Sequence, residues 1–244
     1  MRILALSSST PRGGVALLNG DPQGDRLLAA AAYGDLRGHA ERIFGAIDEV
    51  LAAADVARSA VQALGCDIGP GSFTGVRVAV ASAKGIALAL GIPIAGVSSL
   101  EAMSAAAFAE GAARPGDLVV PVIDAKKSEL FLAAFDAPCA PPCAPPQHLA
   151  CEEVAAAIEA LAAGRRVVVV GEAALSIEPL RPCLARGHAL DLPDAAWIGR
   201  VALGRLRASG SRSAEGELDA ALLEPLYVRA PDAKPAELGY APPR

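Results

Sequence analysis

Short apolar runs and longer helical stripes alternate along the chain, and their order in the first half recurs in the second. In the first half the pattern predicts strands at 3–6, 15–18, 27–32, 61–66 and 92–97, and helices at 38–54, 76–90 and 98–109. In the second half it predicts strands at 118–124, 129–135 and 166–170, and helices at 152–163 and 195–209. Each half opens with a strand, a polar turn and a second strand, so the sequence predicts an α/β fold made of two similar lobes.

Glycine and proline residues, which interrupt helices and strands, indicate where the first lobe ends and the second begins. Gly111, Pro115 and Gly116 interrupt the pattern after the last helix of the first half. We therefore expect an N-terminal lobe at 1–110, a C-terminal lobe at 111–228 and a loose, proline-containing tail at 229–244. A proline-rich connection at 137–146 is expected to stay extended and exposed.

Two helices of the first half carry apolar stripes that suit helix packing. In the helix at 76–90 the stripe is made of small side chains, which allow another helix to approach closely. The candidate partner-interface residues on the two helices are His39, Ile43, Ile47, Val50, Leu51, Val76, Ala79, Val80 and Ala83. The alternative is that both stripes face the sheet of their own lobe, because a helix must cover that sheet before it meets a partner.

A glycine-rich turn joins the predicted strand at 61–66 to the helix at 76–90. It reads D-I-G-P-G-S-F-T-G-V-R from Asp67 to Arg77. The helix entered through this turn directs unpaired N–H groups at whatever lies above it, and phosphate is the first candidate. The candidate binding residues are Gly69, Gly71, Ser72, Thr74 and Gly75. The pattern matches neither a Walker loop nor a dinucleotide fingerprint, so glycines that serve packing alone are the alternative.

Composition narrows the classes of function. The 244 residues are 53% hydrophobic and 4% aromatic, and the formal net charge is −5. This negative charge does not favour RNA binding by this chain alone. Five cysteines, an odd number, fit a reducing compartment better than a disulfide framework, and Cys139, Cys143 and Cys151 lack the spacing of a zinc knuckle. The three histidines form no metal-binding pair. The longest apolar stretch, 76–95, contains Arg77 and Lys84, and no secretory leader is apparent. A cytoplasmic protein without a metal site is expected.

The duplicated hairpin-and-helix pattern suggests a ribonuclease-H-like unit used twice, the architecture of the actin, sugar-kinase and heat-shock ATPase superfamily. Several segments support a closer match: I-L-A-L-S-S-S-T at 3–10, G-H-A-E-R-I at 38–43, G-P-G-S-F-T-G-V-R at 69–77, A-K-G-I-A-L-A-L-G-I-P at 83–93, G-V-S-S-L-E-A at 96–102, V-I-D-A-K-K-S-E-L-F at 122–131 and P-L-Y-V-R at 225–229. In this order they closely resemble the bacterial TsaB family, also called YeaZ. The resemblance is dense from 3 to 131 and patchy afterwards.

The resemblance implies a non-catalytic scaffold in making threonylcarbamoyladenosine beside the anticodon of ANN-decoding tRNAs. In that family a TsaD-like subunit transfers the threonylcarbamoyl group and a TsaE-like subunit hydrolyses ATP. The chain would meet tRNA only through the complex and would form a homodimer when alone. It would hold no cofactor tightly, with ATP or ADP and Mg²⁺ binding only in the complex. The resemblance also favours a partner interface over the sheet-facing alternative for the two helices.

One departure from the family bears on catalysis. The usual opening is I-L-A-I-D-T-S, whereas this chain has Ser7 in place of the aspartate, and a neutral hydroxyl is a poor ligand for Mg²⁺. Asp124 remains as a carboxylate in the second hairpin and is more typical of a turn residue than of a metal ligand. Two alternatives stay open, an autonomous ATP-dependent phosphotransferase and a glycoprotease-like peptidase with Ser72 as nucleophile and His39 as a possible base.

Overall fold

Two mixed β-sheets form the framework of the computed structural model, which describes residues 1–21, 24–34, 39–209 and 219–229. The first sheet has the order β3-β2-β1-β4-β5, in which β1 pairs antiparallel with β2 and parallel with β4. Its strands are β1 (Arg2–Ser7), β2 (Arg12–Asp21), β3 (Gly24–Gly34), β4 (Ala63–Asp67) and β5 (Ile94–Val97). Residues 3–6 of β1 are buried, with alternate side chains in the apolar clusters on the two faces of the sheet. This explains why the strand has a continuous apolar sequence.

The second sheet repeats this arrangement with the order β10-β9-β6-β7-β8. Here β6 pairs antiparallel with β7 and parallel with β9. Its strands are β6 (Leu118–Lys126), β7 (Glu129–Leu132), β8 (Gln147–Ala150), β9 (Val167–Val170) and β10 (Leu184–Ala185). Because both sheets combine an antiparallel hairpin with a parallel neighbour, the predicted duplicated α/β fold is confirmed.

Helices cover the faces of both sheets. They are α1 (His39–Ala53), α2 (Phe73–Leu90), α3 (Ser99–Ala109), α4 (Cys151–Ala162), α5 (His188–Asp191) and α6 (Ala195–Ser209). Short 3₁₀ turns occupy Arg58–Ala60, Glu172–Ser176 and Glu178–Cys183. The sequence did not predict β8, β10, α5 or these turns, which are too short to show a period. The connection at 137–146 contains no helix or strand, as expected, and is largely exposed.

The apolar stripes of α1 and α2 pack on the first sheet and form the core of that lobe. They contact side chains of β1 and β2 such as Leu4, Leu6 and Leu17. The buried stripe residues are Ile43, Ile47, Val50, Leu51, Val76, Ala79, Val80 and Ala83. The prediction that these eight side chains form an exposed partner surface is therefore wrong, because the apolar face of the sheet has to be covered first. His39 begins α1, but its side chain lies outside the described part of the chain.

Helix α6 packs on the opposite face of the first sheet. Its Ile198, Val201 and Ala202 lie in one apolar cluster with Ile3 and Leu18. The sequence analysis assigned this helix to the lobe at 111–228, and the structure instead places it against the first sheet. The chain returns because β1 and β2 present apolar side chains on both faces. The predicted tail at 229–244 lies outside the described residues except for Arg229.

Helix α3 belongs to both lobes. Its Ala102 and Ala105 lie in the cluster under the first sheet, whereas Leu100 and Met103 pack with side chains of the second sheet. Such an apolar connection resists opening, because separating it would expose buried side chains to water. The two lobes are thus joined at α3, and a cleft lies between their remaining surfaces.

Candidate functional site

The cleft between the lobes has a volume of about 1620 Å³. The turn after β1, the loop before α2 and the β6–β7 hairpin contribute to its lining, together with residues 172–176, 191–192 and 226–229. Ligand sites of this fold class are expected in such a crevice between structural units. The cleft is therefore the candidate site.

The glycine loop lines the cleft, but two of its glycines face the protein's own backbone. A Cβ on Gly71 would lie 2.1 Å from the carbonyl oxygen of Ser9, and a Cβ on Gly75 would lie 1.9 Å from that of Ser8. The amide of Ser72 donates a hydrogen bond of 2.6 Å to the same Ser9 oxygen. These contacts favour the packing alternative for the two glycines.

The remaining candidate residues of the loop fix the start of α2. Ser72 is the N-cap, and its hydroxyl accepts a hydrogen bond from the amide of Gly75 at 3.3 Å. Gly69 has a φ of 93°, a conformation that favours glycine. Thr74 is exposed and lines the cleft. Of the five predicted loop residues, Gly71, Ser72 and Thr74 line the cleft, whereas Gly69 and Gly75 are buried and do not. Phosphate binding by the loop stays a prediction.

A buried carboxylate, Asp67, lies beneath this loop at the end of β4. The hydroxyls of Ser7 and Ser9 donate to Oδ2 at 2.7 and 2.6 Å. The Ser99 hydroxyl donates to Oδ1 at 2.6 Å, and the Gly69 amide donates to the same oxygen at 2.9 Å. Four donors thus compensate a carboxylate that is fully buried. Burial raises the pKa of Asp67 above its ordinary value of 3.8, and the four hydrogen bonds oppose this effect only in part.

The sequence analysis quoted Asp67 only as the first residue of the glycine motif. Its partners come from β1, the following turn, the glycine loop and the start of α3, and no local spacing connects these segments. The clustering of Ser7 and Ser9 beside a strand end was the available signal. Ser7, noted above as a replacement for an aspartate, uses its hydroxyl to hold Asp67.

Asp124 lies in the β6–β7 hairpin, where both of its oxygens are engaged by Lys126. The Lys126 amide donates to Oδ1 at 2.7 Å, and its ammonium donates to Oδ2 at 2.5 Å. Burial acts to raise the pKa of Asp124, but these hydrogen bonds and the lysine charge outweigh it and lower the pKa. A magnesium ion could bind Asp124 only by displacing the Lys126 ammonium. The contacts of Asp124 are therefore those of a turn residue rather than of a magnesium ligand. The described residues contain no group of three or more metal-ligating side chains.

An aromatic and cationic cluster, Phe73, Arg77 and Tyr227, also lines the cleft. The Arg77 guanidinium lies 3.7 Å from the centroid of the Phe73 ring, and its Nε donates to the Tyr227 hydroxyl at 2.9 Å. Both rings are more than half exposed. The sequence analysis did not identify this cluster, because Tyr227 is 150 positions away from Arg77.

The two described histidine side chains are held elsewhere. Nε2 of His148 lies 3.0 Å from Glu129 Oε2, and Nδ1 of His188 lies 3.2 Å from Asp194 Oδ2. Ser72 already accepts a hydrogen bond as the cap of α2. Neither His148 nor His188 forms a hydrogen bond with Ser72. The described residues therefore provide no support for a serine nucleophile at this position.

The outer face of α2 includes exposed apolar side chains, whereas the exposed positions of α1 include the charged residues Glu41, Arg42, Asp48 and Glu49 beside Phe44. Phe44 of α1 is 53% exposed, and Leu88 of α2 is 68% exposed. The exposed apolar positions of α2 are Phe73, Ala81, Gly85, Leu88, Ala89 and Leu90. Thr74 and Arg77 are its exposed polar positions, and Val78 is half-buried against the core of the lobe. By length and composition α2 could cross a membrane, yet a core helix of a globular protein has the same properties, and one third of the helix is buried here. An apolar helix with one face uncovered is unusual for an isolated domain.

Comparison with known proteins gives a consistent picture. The family model for TsaD, a tRNA N6-adenosine threonylcarbamoyltransferase, matches residues 35–164. The chain is 39% identical to the tRNA threonylcarbamoyladenosine biosynthesis protein TsaB of Haemophilus influenzae over 134 residues, 54% of this chain and 53% of that protein. It is 32% identical to an uncharacterized protein of Mycobacterium tuberculosis over 202 residues, covering 82% of this chain and 80% of the other.

The structural comparison extends over nearly the whole chain. YeaZ from Pseudomonas aeruginosa superimposes with a TM-score of 0.73 at 29% identity, covering 93% of this chain and 99% of that one. By sequence, in contrast, the chain spans about half the length of the curated TsaB relatives that it matches. The range matched by the family model, 35–164, includes α1, the glycine loop and α2.

A substitution pair within α2 tests the packing of the glycine loop. Gly75→Ala should lower the free energy of unfolding by about 2 kcal/mol, because its Cβ would meet a backbone carbonyl. Gly85→Ala, in the same helix with open space around it, should instead raise that free energy by about 1 kcal/mol. Urea denaturation measures both. A Gly75→Ala variant as stable as the unsubstituted chain would contradict the packing.

The pKa of Asp67 predicts a pH dependence of stability. Since the folded-state pKa of this acid is raised, the folded chain binds its proton more tightly than the unfolded chain, and the contribution to stability is lost as the pH rises through the folded pKa. The stability of the unsubstituted chain relative to Asp67→Asn should therefore fall as the pH rises from about 3.8. Urea titrations of both proteins across this range measure the difference. A difference that grows with pH would mean that the pKa is lowered instead.

Proposed function

Because the chain belongs to the TsaB (YeaZ) family, we propose that it takes part in tRNA threonylcarbamoyladenosine biosynthesis as a non-catalytic subunit that pairs with a TsaD-like transferase. In this proposal a TsaE-like ATPase completes the assembly, and tRNA is reached through the partners. Without the transferase, two copies of the chain pair through the same surface.

The observation that carries the proposal is the uncovered apolar face of α2. The buried face of this helix already covers the first sheet, so its outward Ala81, Gly85 and Leu88 contribute nothing to the fold of the isolated chain. Small outward side chains such as Ala81 and Gly85 let the axis of a second helix approach closely. A transferase of similar fold could supply matching helices.

The polar groups around the cleft support the absence of catalysis. Both oxygens of Asp67 and both oxygens of Asp124 accept hydrogen bonds from the chain itself. Gly71 and Gly75 pack against backbone carbonyls rather than leaving space above them. An active phosphotransferase would need a carboxylate available to a metal and open amides for phosphate.

The balance of charge supports indirect contact with tRNA. The net charge is −5. Among the cations that line the cleft, Lys126 pairs with Asp124, Arg229 pairs with Glu129, and Arg77 contacts Phe73 and Tyr227. Binding to nucleic acid depends on neutralising several phosphates with lysine and arginine. In this proposal the partner subunits supply the positively charged residues that bind the tRNA phosphates.

The proposed surface is tested by a charge on the outer face of α2. Ala81→Glu should weaken binding to the TsaD-like subunit by about tenfold or more, because a carboxylate would be buried without a counter-charge in an apolar helix contact. Its circular dichroism and unfolding midpoint should stay unchanged, since Ala81 is exposed. Co-elution on a sizing column and titration calorimetry measure the binding.

The matched control is Ala156→Glu, which introduces the same charge at an exposed alanine of α4 on the other lobe. This variant should bind like the unsubstituted chain. Full binding by Ala81→Glu, or equal loss in both variants, would show that the outer face of α2 is not the interface.

A further inference from the structure

Residues 219–229 run from the first lobe to the second beside the cleft, and we call them the strap. We propose that the strap sets how far the cleft between the lobes opens. This inference goes beyond the proposed function and does not depend on it, since it concerns the chain alone.

The strap is fixed to the first lobe along most of its length. Ala220 and Leu223 are buried in the cluster beneath α1 and α2. The Lys84 ammonium of α2 donates to the carbonyl oxygens of Ala221 and Leu223, each at 3.1 Å. The Leu226 amide then donates to the Ile68 carbonyl at 2.8 Å, directly before the glycine loop.

The far end of the strap reaches the second lobe. Val228 packs against the apolar cluster that contains Val119 and Phe131. The Arg229 guanidinium donates to the Ala125 carbonyl at 3.3 Å and lies 3.2 Å from Glu129 Oε2. The side chains of Arg229 and Glu129 are only 22% and 30% exposed, so solvent screens this ion pair less than a surface pair.

Between these two ends, the strap forms part of the cleft wall. Leu226, Tyr227, Val228 and Arg229 all line it. The Tyr227 hydroxyl accepts from Arg77 on α2, so the middle of the strap is tied to the first turns of that helix. Movement of the β6–β7 hairpin away from the first lobe would therefore break the contact at Arg229 before those at Lys84 and Ile68.

Other contacts among the described residues also join the lobes, including Trp197 of α6, which packs against the apolar clusters of both. The apolar packing of α3 forms the fixed side, where opening would expose core side chains. The Arg12 guanidinium donates to the carbonyl oxygens of His188 and Leu192, which ties β2 to α5. The strap also reaches the β6–β7 hairpin, where Val228 packs on the apolar cluster and Arg229 contacts Ala125 and Glu129.

The test is amide hydrogen exchange on the full chain carrying Arg229→Gln. Exchange in the strap and in the hairpin segment 118–132 should become about tenfold faster, because a charge-assisted contact that holds them together is lost. Exchange in the β2–β3 hairpin should not change. Small-angle X-ray scattering of the same variant should show a larger radius of gyration.

A second variant removes the same ion pair from its other side, and a control variant removes an ion pair elsewhere. Glu129→Gln removes the other half of the ion pair and should give the same pattern of exchange. Arg58→Gln breaks an arginine–aspartate pair confined to the first lobe and should leave the strap and the hairpin unchanged. Unchanged exchange and scattering in both test variants, or acceleration spread equally over all segments, would overturn the proposal.

Discussion

The buried carboxylate of Asp67 is the interaction on which the geometry around the cleft depends. Its four hydrogen-bond donors come from β1, the turn after it, the glycine loop and the first residue of α3. A buried carboxylate without these donors would be strongly destabilising, so the four segments are held at one point. This point fixes where α2 begins and where α3 leaves the first lobe. The orientation of α2 and the position of the second lobe follow from it.

Helix α2 shows how one element can serve the fold and, in our proposal, the assembly. Its small buried residues bring it close to the first sheet, and among its outward residues Ala81, Gly85 and Ala89 are also small. Because the glycine loop packs on the turn after β1, the helix starts close to the cleft, where Phe73 and Arg77 meet Tyr227. A partner on the outer face would therefore lie beside the strap and the cleft wall.

The sequence predicted the elements that have a clear period and missed what depends on tertiary packing. The paired hairpins, α1, α2 and the resemblance around the glycine loop were all readable from local patterns. The exposed face of α2 was not, because small and apolar residues lie on several sides of this helix, and Val80 and Ala81 look equally suited to a partner. The role of Asp67 and the return of α6 to the first sheet required contacts between residues that are far apart in the chain.

The most direct test of the account is tRNA modification by purified components. The chain is incubated with unmodified ANN-decoding tRNA, threonylcarbamoyl-adenylate, ATP and Mg²⁺, with the TsaD-like and TsaE-like subunits either added or omitted. Mass spectrometry measures threonylcarbamoyladenosine, and phosphate release measures ATP turnover. We expect neither product from the chain alone, and modified tRNA only when the transferase is present, in larger amount with this chain than without it. Modification or steady ATP turnover by the chain alone would contradict the account.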